Sequence, residues 1–508
     1  MSWKISAEVR PIIRSQIYPL PAPTPVFQNS QVTIVAGALL AGAFLVGILL
    51  NLYLAIGLAL VVAAIPYWRL DRVLVVFLIV TLLWPHKLGW HVGWIWNPSR
   101  ILLMVMLLTW ILAWSKREVK FQRTPLDMAF FLFIIAMLVS FLVNSPNMNY
   151  DDFFRAMKTF GYAAVEWILL YYLVTTILSN YRQVRKFLII FIGLISIVAL
   201  VGIVEYKTGV RFYEWLRPHL PGGAKMVSNL HEEFLEERDV GYVRGDVVRI
   251  VSTTISYQEV GSLMAMSLPL IVFFIAYARK WWERLLWLAP LFLVVSALLL
   301  SVTRGAVIAS VVAILFISVM SKKWLIRASF LSCGLVIAIV IALIPNILGA
   351  FESVATPARL STEASFQSRL ERYPLAAEML QGHELFGLGL GQITGHKRTD
   401  LKVTDNWYLA EVVETGLFGI ATVLLMWGAI VALLIKRKYL PGKFGSEIRD
   451  MRLAILASGM AFMIMCYSYD AMVTLTVSKM FFVIVAFGVV LLRYEQNKAA
   501  SLHEKSSA

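Results

Sequence analysis

Long apolar runs separated by short polar connections dominate the pattern of the chain from residue 32 to residue 492. The runs are far longer than a strand and show no period-two alternation, so the pattern encodes helices. A helix needs roughly 20 apolar residues to cross about 30 Å of hydrocarbon. By that rule the sequence predicts fourteen spans: 32–50, 52–68, 73–90, 100–114, 126–143, 162–179, 186–206, 259–278, 284–303, 305–320, 325–345, 407–435, 452–470 and 472–492. The first pair runs on almost without interruption and is divided at Asn51, because one crossing cannot hold it.

The spans divide the chain into a cytoplasmic N-terminal segment (1–31), seven helices (32–206), a long polar connection (207–258), four helices (259–345), a larger connection (346–406), three helices (407–492) and a cytoplasmic tail (493–508). Composition agrees with an all-α polytopic membrane protein. Hydrophobic residues make up 59% and charged residues 15%, and mean hydropathy is +0.75, values that exclude an ordinary soluble domain. The basic N-terminus runs into Pro19, Pro21, Pro23 and Pro25 instead of an apolar core, so no cleavable signal peptide is expected.

Lys and Arg fix the expected orientation. With the N-terminus inside, the clusters at Arg69/Arg72, Lys116 to Arg123, Arg182 to Lys186, Arg279 to Arg284, Lys322 to Arg327 and Lys436 to Arg452 all face the cytoplasm. Both termini are then cytoplasmic, and 207–258 and 346–406 are extracytoplasmic loops. The net charge of +15 becomes a signal of topology and anionic lipid, with no nucleic-acid partner implied. Trp90, Trp94 and Trp96 read as an interfacial belt on the outer side. Cys333 and Cys466 fall inside spans and read as buried thiols.

The candidate chemistry gathers on the outer face. Ser301-Val-Thr303-Arg304-Gly305-Ala306 sets an arginine between two apolar runs, where a cation costs about 2.5–3.5 kcal/mol at a helix centre and less near an end. Arg249 precedes the eighth span, and Arg359, Arg369, Arg372, His383 and Asp405 lie in the second loop. One such arginine can simply reach for a headgroup; several from separate regions suit an anion, because guanidinium forks match phosphate oxygens.

Other features carry less. Gly387, Gly389 and Gly391 lack the strand and helix of a nucleotide loop and read as a flexible turn. His219 and His231 have no second ligand cluster, so no metal is expected, and the acidic run from Glu232 to Asp239 reads as a solvated helix face. Asp470 and Lys479 read as structural partners, and Glu166 is an intramembrane charge without an assigned role. A transporter or lipid-linked glycan flippase is the rival class, but no internal repeat relates the halves and the charges gather at one face.

Four segments in order, Ser301 to Ala306, Ser365-Phe366-Gln367-Ser368-Arg369-Leu370-Glu371-Arg372-Tyr373, His383 to Gly391, and Asp405-Asn406-Trp407-Tyr408 through Glu414-Thr415-Gly416, resemble the motifs of the O-antigen ligase and Wzy-type polysaccharide polymerase superfamily. Arg249-Ile-Val-Ser252-Thr253-Thr254 is a weaker match. The chain departs from the ligases in having Asp405 where they carry histidine, Glu384 where proline is common, and Tyr373 where tryptophan is common. These departures favour a polymerase over a ligase acting on lipid A core.

The resemblance implies a GT-C-like enzyme of the bacterial inner membrane that needs no cofactor. Its donor would be a glycan on undecaprenyl pyrophosphate and its acceptor a second glycan, with a flippase and a chain-length regulator as candidate partners. Arg304, Arg369 and Asp405 are the expected catalytic residues, Asp405 serving as base, as a helix N-cap, or as both. Arg249, Arg304, Arg359, Arg369, Arg372, His383, Asn406, Tyr408 and Glu414 are the expected donor and glycan contacts.

Overall fold

A computed structural model describes residues 70–92, 94–115, 119, 121–219, 225–226, 243–244, 247–343, 364–393, 405–436 and 440–507. The first two expected spans, 32–50 and 52–68, lie outside the described residues. Each of the other twelve contains a helix. The first two are α1 (Leu70–Leu83) and α2 (Pro98–Ser115), followed by α3 (Asp127–Asn144). Next, α4 (Tyr150–Gly161) passes through a π-helical turn (Tyr162–Leu169) into α5 (Leu170–Ile177). After α6 (Tyr181–Thr208) and the short α7 (Phe212–Leu216) come α8 (Tyr257–Tyr277), α9 (Trp281–Leu300), α10 (Arg304–Met320) and α11 (Trp324–Leu343). The loop helix α12 (Ala364–Met379) precedes α13 (Trp407–Leu434), α14 (Gly442–Ser468) and α15 (Leu475–Ser507).

Among the described residues, ten helices are long and apolar enough to cross a membrane, and α10 is a shorter apolar helix. The chain is an all-α polytopic membrane protein. Two small antiparallel pairings accompany the helices. In one, β1 (Leu88–Val92) lies between β2 (Trp94–Trp96) and β3 (Lys225–Met226), with Trp90 opposite Trp96. In the other, β4 (Val243–Arg244) pairs with β5 (Val247–Val248).

Several boundaries differ from expectation, three of them as follows. The span expected at 73–90 ends as a helix at Leu83, because Pro85 disfavours helical backbone at Trp84 and the chain turns into β1. The helix expected at 452 starts at Gly442, where its first turns are polar. The expected tail, 493–508, continues α15 through Ser507.

Local signals explain several ends. Asn180 and Gln183 form a capping box at the start of α6, which stops at Gly209 with φ 70°. Ser256 caps α8 through the Glu259 amide. Helices α8 and α15 are buried almost throughout, whereas α11 turns most of its surface outward.

Polar contacts gather at the two ends of the bundle. At one end Asp450 accepts from Tyr277 and Ser321 at 2.8 Å each, Tyr181 donates to Glu447 at 2.5 Å, and the buried Arg452 meets Glu495 at 3.0 Å. The other end collects the C-termini of α1, α3, α6, α9 and α14 and the N-termini of α2, α8, α10 and α13. The segments singled out in the sequence lie at that end.

Candidate functional site

Arg304 is the first residue of α10, and only Ser301 to Thr303 separate it from α9. Ser301 Oγ donates to the Leu298 carbonyl at 2.7 Å, and Thr303 Oγ1 donates to the Tyr257 carbonyl at 3.3 Å. Two glycines allow the surrounding helices this close. A Cβ on Gly305 would overlap the Ser468 side chain, and one on Gly261 would stand 2.9 Å from the Ala306 Cβ. The Ser301–Ala306 turn is therefore wedged between the start of α8 and the end of α14.

Arg249 lies beside it, its guanidinium 4.3 Å from the Tyr257 ring centre. The following turn is pinned by the carboxylate of Glu205 near the end of α6, which accepts from the Val251 amide at 3.0 Å and the Ser252 amide at 2.6 Å. Ser252 Oγ donates to the Val198 carbonyl, and Thr253 Oγ1 to the Leu82 carbonyl, each at 2.7 Å. The arginine is thus carried on a loop fastened to α1 and α6.

The third part comes from α12 and the start of α13. Arg372 Nη1 donates to Asp405 Oδ2 at 3.2 Å. The N-cap reading of Asp405 is corrected by the structure: Asn406 is the cap, its Oδ1 accepting from the amides of Tyr408 at 3.1 Å and Leu409 at 3.3 Å. The carboxylate one residue earlier is left to face the arginine. Asn406 Nδ2 donates to the Tyr373 hydroxyl at 3.1 Å, and Tyr373 and Tyr467 bring their hydroxyls to 3.5 Å. Tyr408 turns inward and donates to the Met463 carbonyl at 2.7 Å.

Among the described residues, the non-glycine residues with positive φ are Ser252 at 54°, Val302 at 47° and Asp405 at 44°. One falls in each of the three segments. Left-handed backbone is unfavourable for serine and above all for β-branched valine, and such strain collects where surroundings enforce a functional geometry.

The glycine turn is corrected as well. Gly387, Gly389 and Gly391 have φ of 67°, 104° and 71°, but their turn is fixed and not flexible. It docks onto a break in α13 at Gly416, where φ is 69° and ψ is −167°. The amides of Leu388 and Gly389 donate to the carbonyls of Val413 at 2.8 Å and Glu414 at 3.1 Å. In return Leu417 and Phe418 donate to the carbonyls of Glu384 at 2.8 Å and Leu385 at 3.1 Å. From α3, Ser140 Oγ reaches the Glu414 carbonyl at 2.7 Å and Asn144 Nδ2 the Gly387 carbonyl at 3.2 Å. The buried Glu414 carboxylate accepts from the Ile393 amide at 3.1 Å, so it ties down the loop. His383 is exposed on this turn. Glu384 has its carboxyl held below the usual range, first by the Gly382 amide that donates to it at 3.0 Å.

These contacts, together with chain neighbours, link Arg249, Tyr257, Thr303 and Arg304 through the Gly305–Ser468 approach to Tyr467, Tyr373, Asn406, Asp405 and Arg372. Arg369 lies on α12 one turn before Arg372. Arg359, His231 and the acidic run 232–239 lie outside the described residues. No group of three or more His, Cys, Asp or Glu residues that could hold a metal occurs among the described residues.

A second polar network was not foreseen. Glu166, in the π-helical turn, accepts from Arg100 Nε at 2.8 Å and faces Lys479 Nζ at 3.0 Å. Lys479, expected opposite Asp470, thus has Glu166 as its partner. Arg100 also lies 4.5 Å from the Tyr162 ring centre, and Ser99 and Asn97 continue the network to His86. The intramembrane charges themselves were the signal; what paired them was not readable along the chain. Glu205 and Tyr467 gave no motif signal at all.

No curated protein matches the chain. Residues 289–424 match the family model described as O-antigen ligase. That stretch runs from within α9 to within α13 and holds the Arg304 turn, Arg372, the glycine turn and Asp405. Over residues 289–424 the chain is therefore similar to the O-antigen ligase family.

Proposed function

We propose that the chain is a membrane glycosyltransferase that polymerises glycan units carried on undecaprenyl pyrophosphate, working at the outer face of the bacterial cytoplasmic membrane. The observation that carries this reading is that the Arg249 loop, the Arg304 turn and the Arg372–Asp405 pair lie at one end of the bundle, linked through neighbouring residues of α14, α12 and α13. A donor delivered in the lipid phase presents its pyrophosphate at that depth. Arg304, with Arg249 behind Tyr257, is placed to hold it, and negative charge growing on the leaving pyrophosphate strengthens those contacts in the transition state. Arg369 and Arg359 are further candidates from the same loop.

Asp405 is the base. The acceptor oxygen forms its bond to the donor's anomeric carbon while the bond from that carbon to the pyrophosphate oxygen breaks with its electron pair. The hydroxyl proton passes to Asp405 and then to water. Bound pyrophosphate competes for Arg372 and frees the Asp405 carboxylate to meet the acceptor hydroxyl. Asp405 and Glu384, standing where ligases of the resembling family carry other residues, support polymerisation over transfer to lipid A core.

The test is transfer in liposomes from purified lipid-linked glycan. Arg304→Ala should abolish product while inserting normally, and Arg304→Lys should remain poor, because a point charge lacks the planar fork. A ladder of products marks a polymerase, and single transfer to lipid A core marks a ligase. Normal product from well-inserted Arg304→Ala protein would overturn the assignment.

A further inference from the structure

Two tyrosines bring the end of α14 and the loop helix α12 together at the site. Tyr467 lies in the last turn of α14, beside Ser468, whose side chain fills the space where Gly305 lacks one. It is therefore held next to the start of α10, where Arg304 sits. Tyr373 lies on α12, beside Arg372, and its hydroxyl accepts from Asn406 at 3.1 Å. The two hydroxyls approach to 3.5 Å, although the residues are 40% and 63% exposed.

The placement restricts what the pair can bind. In the glycosyl transfer, the group touching both the leaving pyrophosphate and the base is a sugar ring. Such a ring has an apolar face of C–H groups and a polar edge of hydroxyls. An aromatic ring with a polar tip meets both, and tyrosine does so with little rotamer entropy to lose. The amide of Asn406 is held by its cap and by Tyr373, so the Tyr373 ring is oriented before any ligand arrives. A subsite built this way is rigid on the α12 side and continuous with Asp405.

We propose that Tyr373 and Tyr467 form a sugar subsite that stacks the pyranose ring adjacent to the reacting bond. This rests on the glycosyl-transfer reading above and adds to it the residues that recognise sugar in place of phosphate. The competing account is that exposed tyrosines at a bundle end only anchor the protein in the headgroup region. Anchoring would be indifferent to whether a lipid carries a sugar.

The experiment uses the full chain in nanodiscs and two probes: the lipid-linked glycan accumulated by cells lacking this chain, and sugar-free undecaprenyl pyrophosphate. Binding of each is measured by native mass spectrometry for wild type, Tyr373→Ala, Tyr467→Ala, Tyr467→Phe and Arg304→Ala. The Tyr→Ala variants should weaken the glycan-bearing lipid by about tenfold, the range of one aromatic stacking interaction, and leave undecaprenyl pyrophosphate unchanged. Tyr467→Phe should retain most of the binding, since it keeps the ring; this arm also guards against a variant that fails to fold. Equal loss on both probes, no loss on either, or equal wild-type affinity for the two lipids overturns the subsite. Arg304→Ala should weaken both probes. If it weakens neither while the tyrosine variants lose glycan binding, the pyrophosphate assignment fails and the sugar subsite survives.

Discussion

Lys479 Nζ faces Glu166 Oε2 at 3.0 Å inside the bundle, while Arg100 holds the other carboxylate oxygen at 2.8 Å. One carboxylate therefore serves two cations that the hydrocarbon would otherwise reject. Removing one partner of a buried pair costs about 3–5 kcal/mol, more than the pair itself contributes. Glu166→Gln, which leaves two cations facing each other, should lower the melting temperature more than Lys479→Met, which leaves Arg100 paired. Glu166→Gln/Lys479→Met should recover part of the loss. Thermal unfolding in detergent measures all three, and wild-type melting of Glu166→Gln would remove the network from any account of stability.

Asp405→Asn separates chemistry from architecture. The helix start is secured by Asn406, and asparagine tolerates left-handed backbone, so fold and insertion should be kept. The partly exposed pair with Arg372 is worth at most about 1 kcal/mol. Turnover should nevertheless fall sharply, because the amide accepts no proton, and Asp405→His should retain more activity than Asp405→Asn. Wild-type transfer by Asp405→Asn would show that the hydroxyl needs no base here.

The glycine turn should tolerate no side chain. A Cβ on Gly387 would stand 2.5 Å from the Glu414 carbonyl carbon, and one on Gly416 2.6 Å from the Gly387 amide nitrogen. Both positions also require positive φ. Gly387→Ala and Gly416→Ala should reduce folded protein strongly, whereas Gly428→Ala, with no atom within 4 Å of its added Cβ, should behave as wild type. Monodisperse yield from size-exclusion chromatography decides between them; equal yields from all three would mean the docking is unimportant.

Topology is checked by reporter fusions. Arg304 and Met320 lie at opposite ends of α10, so a reporter at Lys322 should act as cytoplasmic and one at Gly382 as external. Two reporters reading the same side would detach the site from a donor presented on the outer face.

Most helices were legible in the sequence because the membrane demands uninterrupted apolar length. The early starts of α4 and α14 were not, since Asp151, Asp152, Arg155 and Lys158 in one and Glu447, Arg449 and Asp450 in the other interrupt hydropathy without interrupting the helix. The motifs, far apart along the chain, gather at one end of the molecule. The strained backbone at Ser252, Val302 and Asp405 could not be foreseen, because none of these residues carries glycine's signal for left-handed geometry. Nor could the fixity of the glycine turn, whose hydrogen-bond partners lie in α3 and α13.

That docking imposes an order on biogenesis. The ribosome completes residues 384–391 before it makes the helix they grip, so the amides of Leu388 and Gly389 emerge without the carbonyls they are matched to. They must wait for α13 to insert and for its break to open at Gly416. A chain released before that helix would leave α3 to offer Ser140 and Asn144 to an absent neighbour, and Arg372 with no Asp405 to meet. The arrangement of Arg372, Asp405 and the glycine turn is therefore withheld until α13 is in the bilayer.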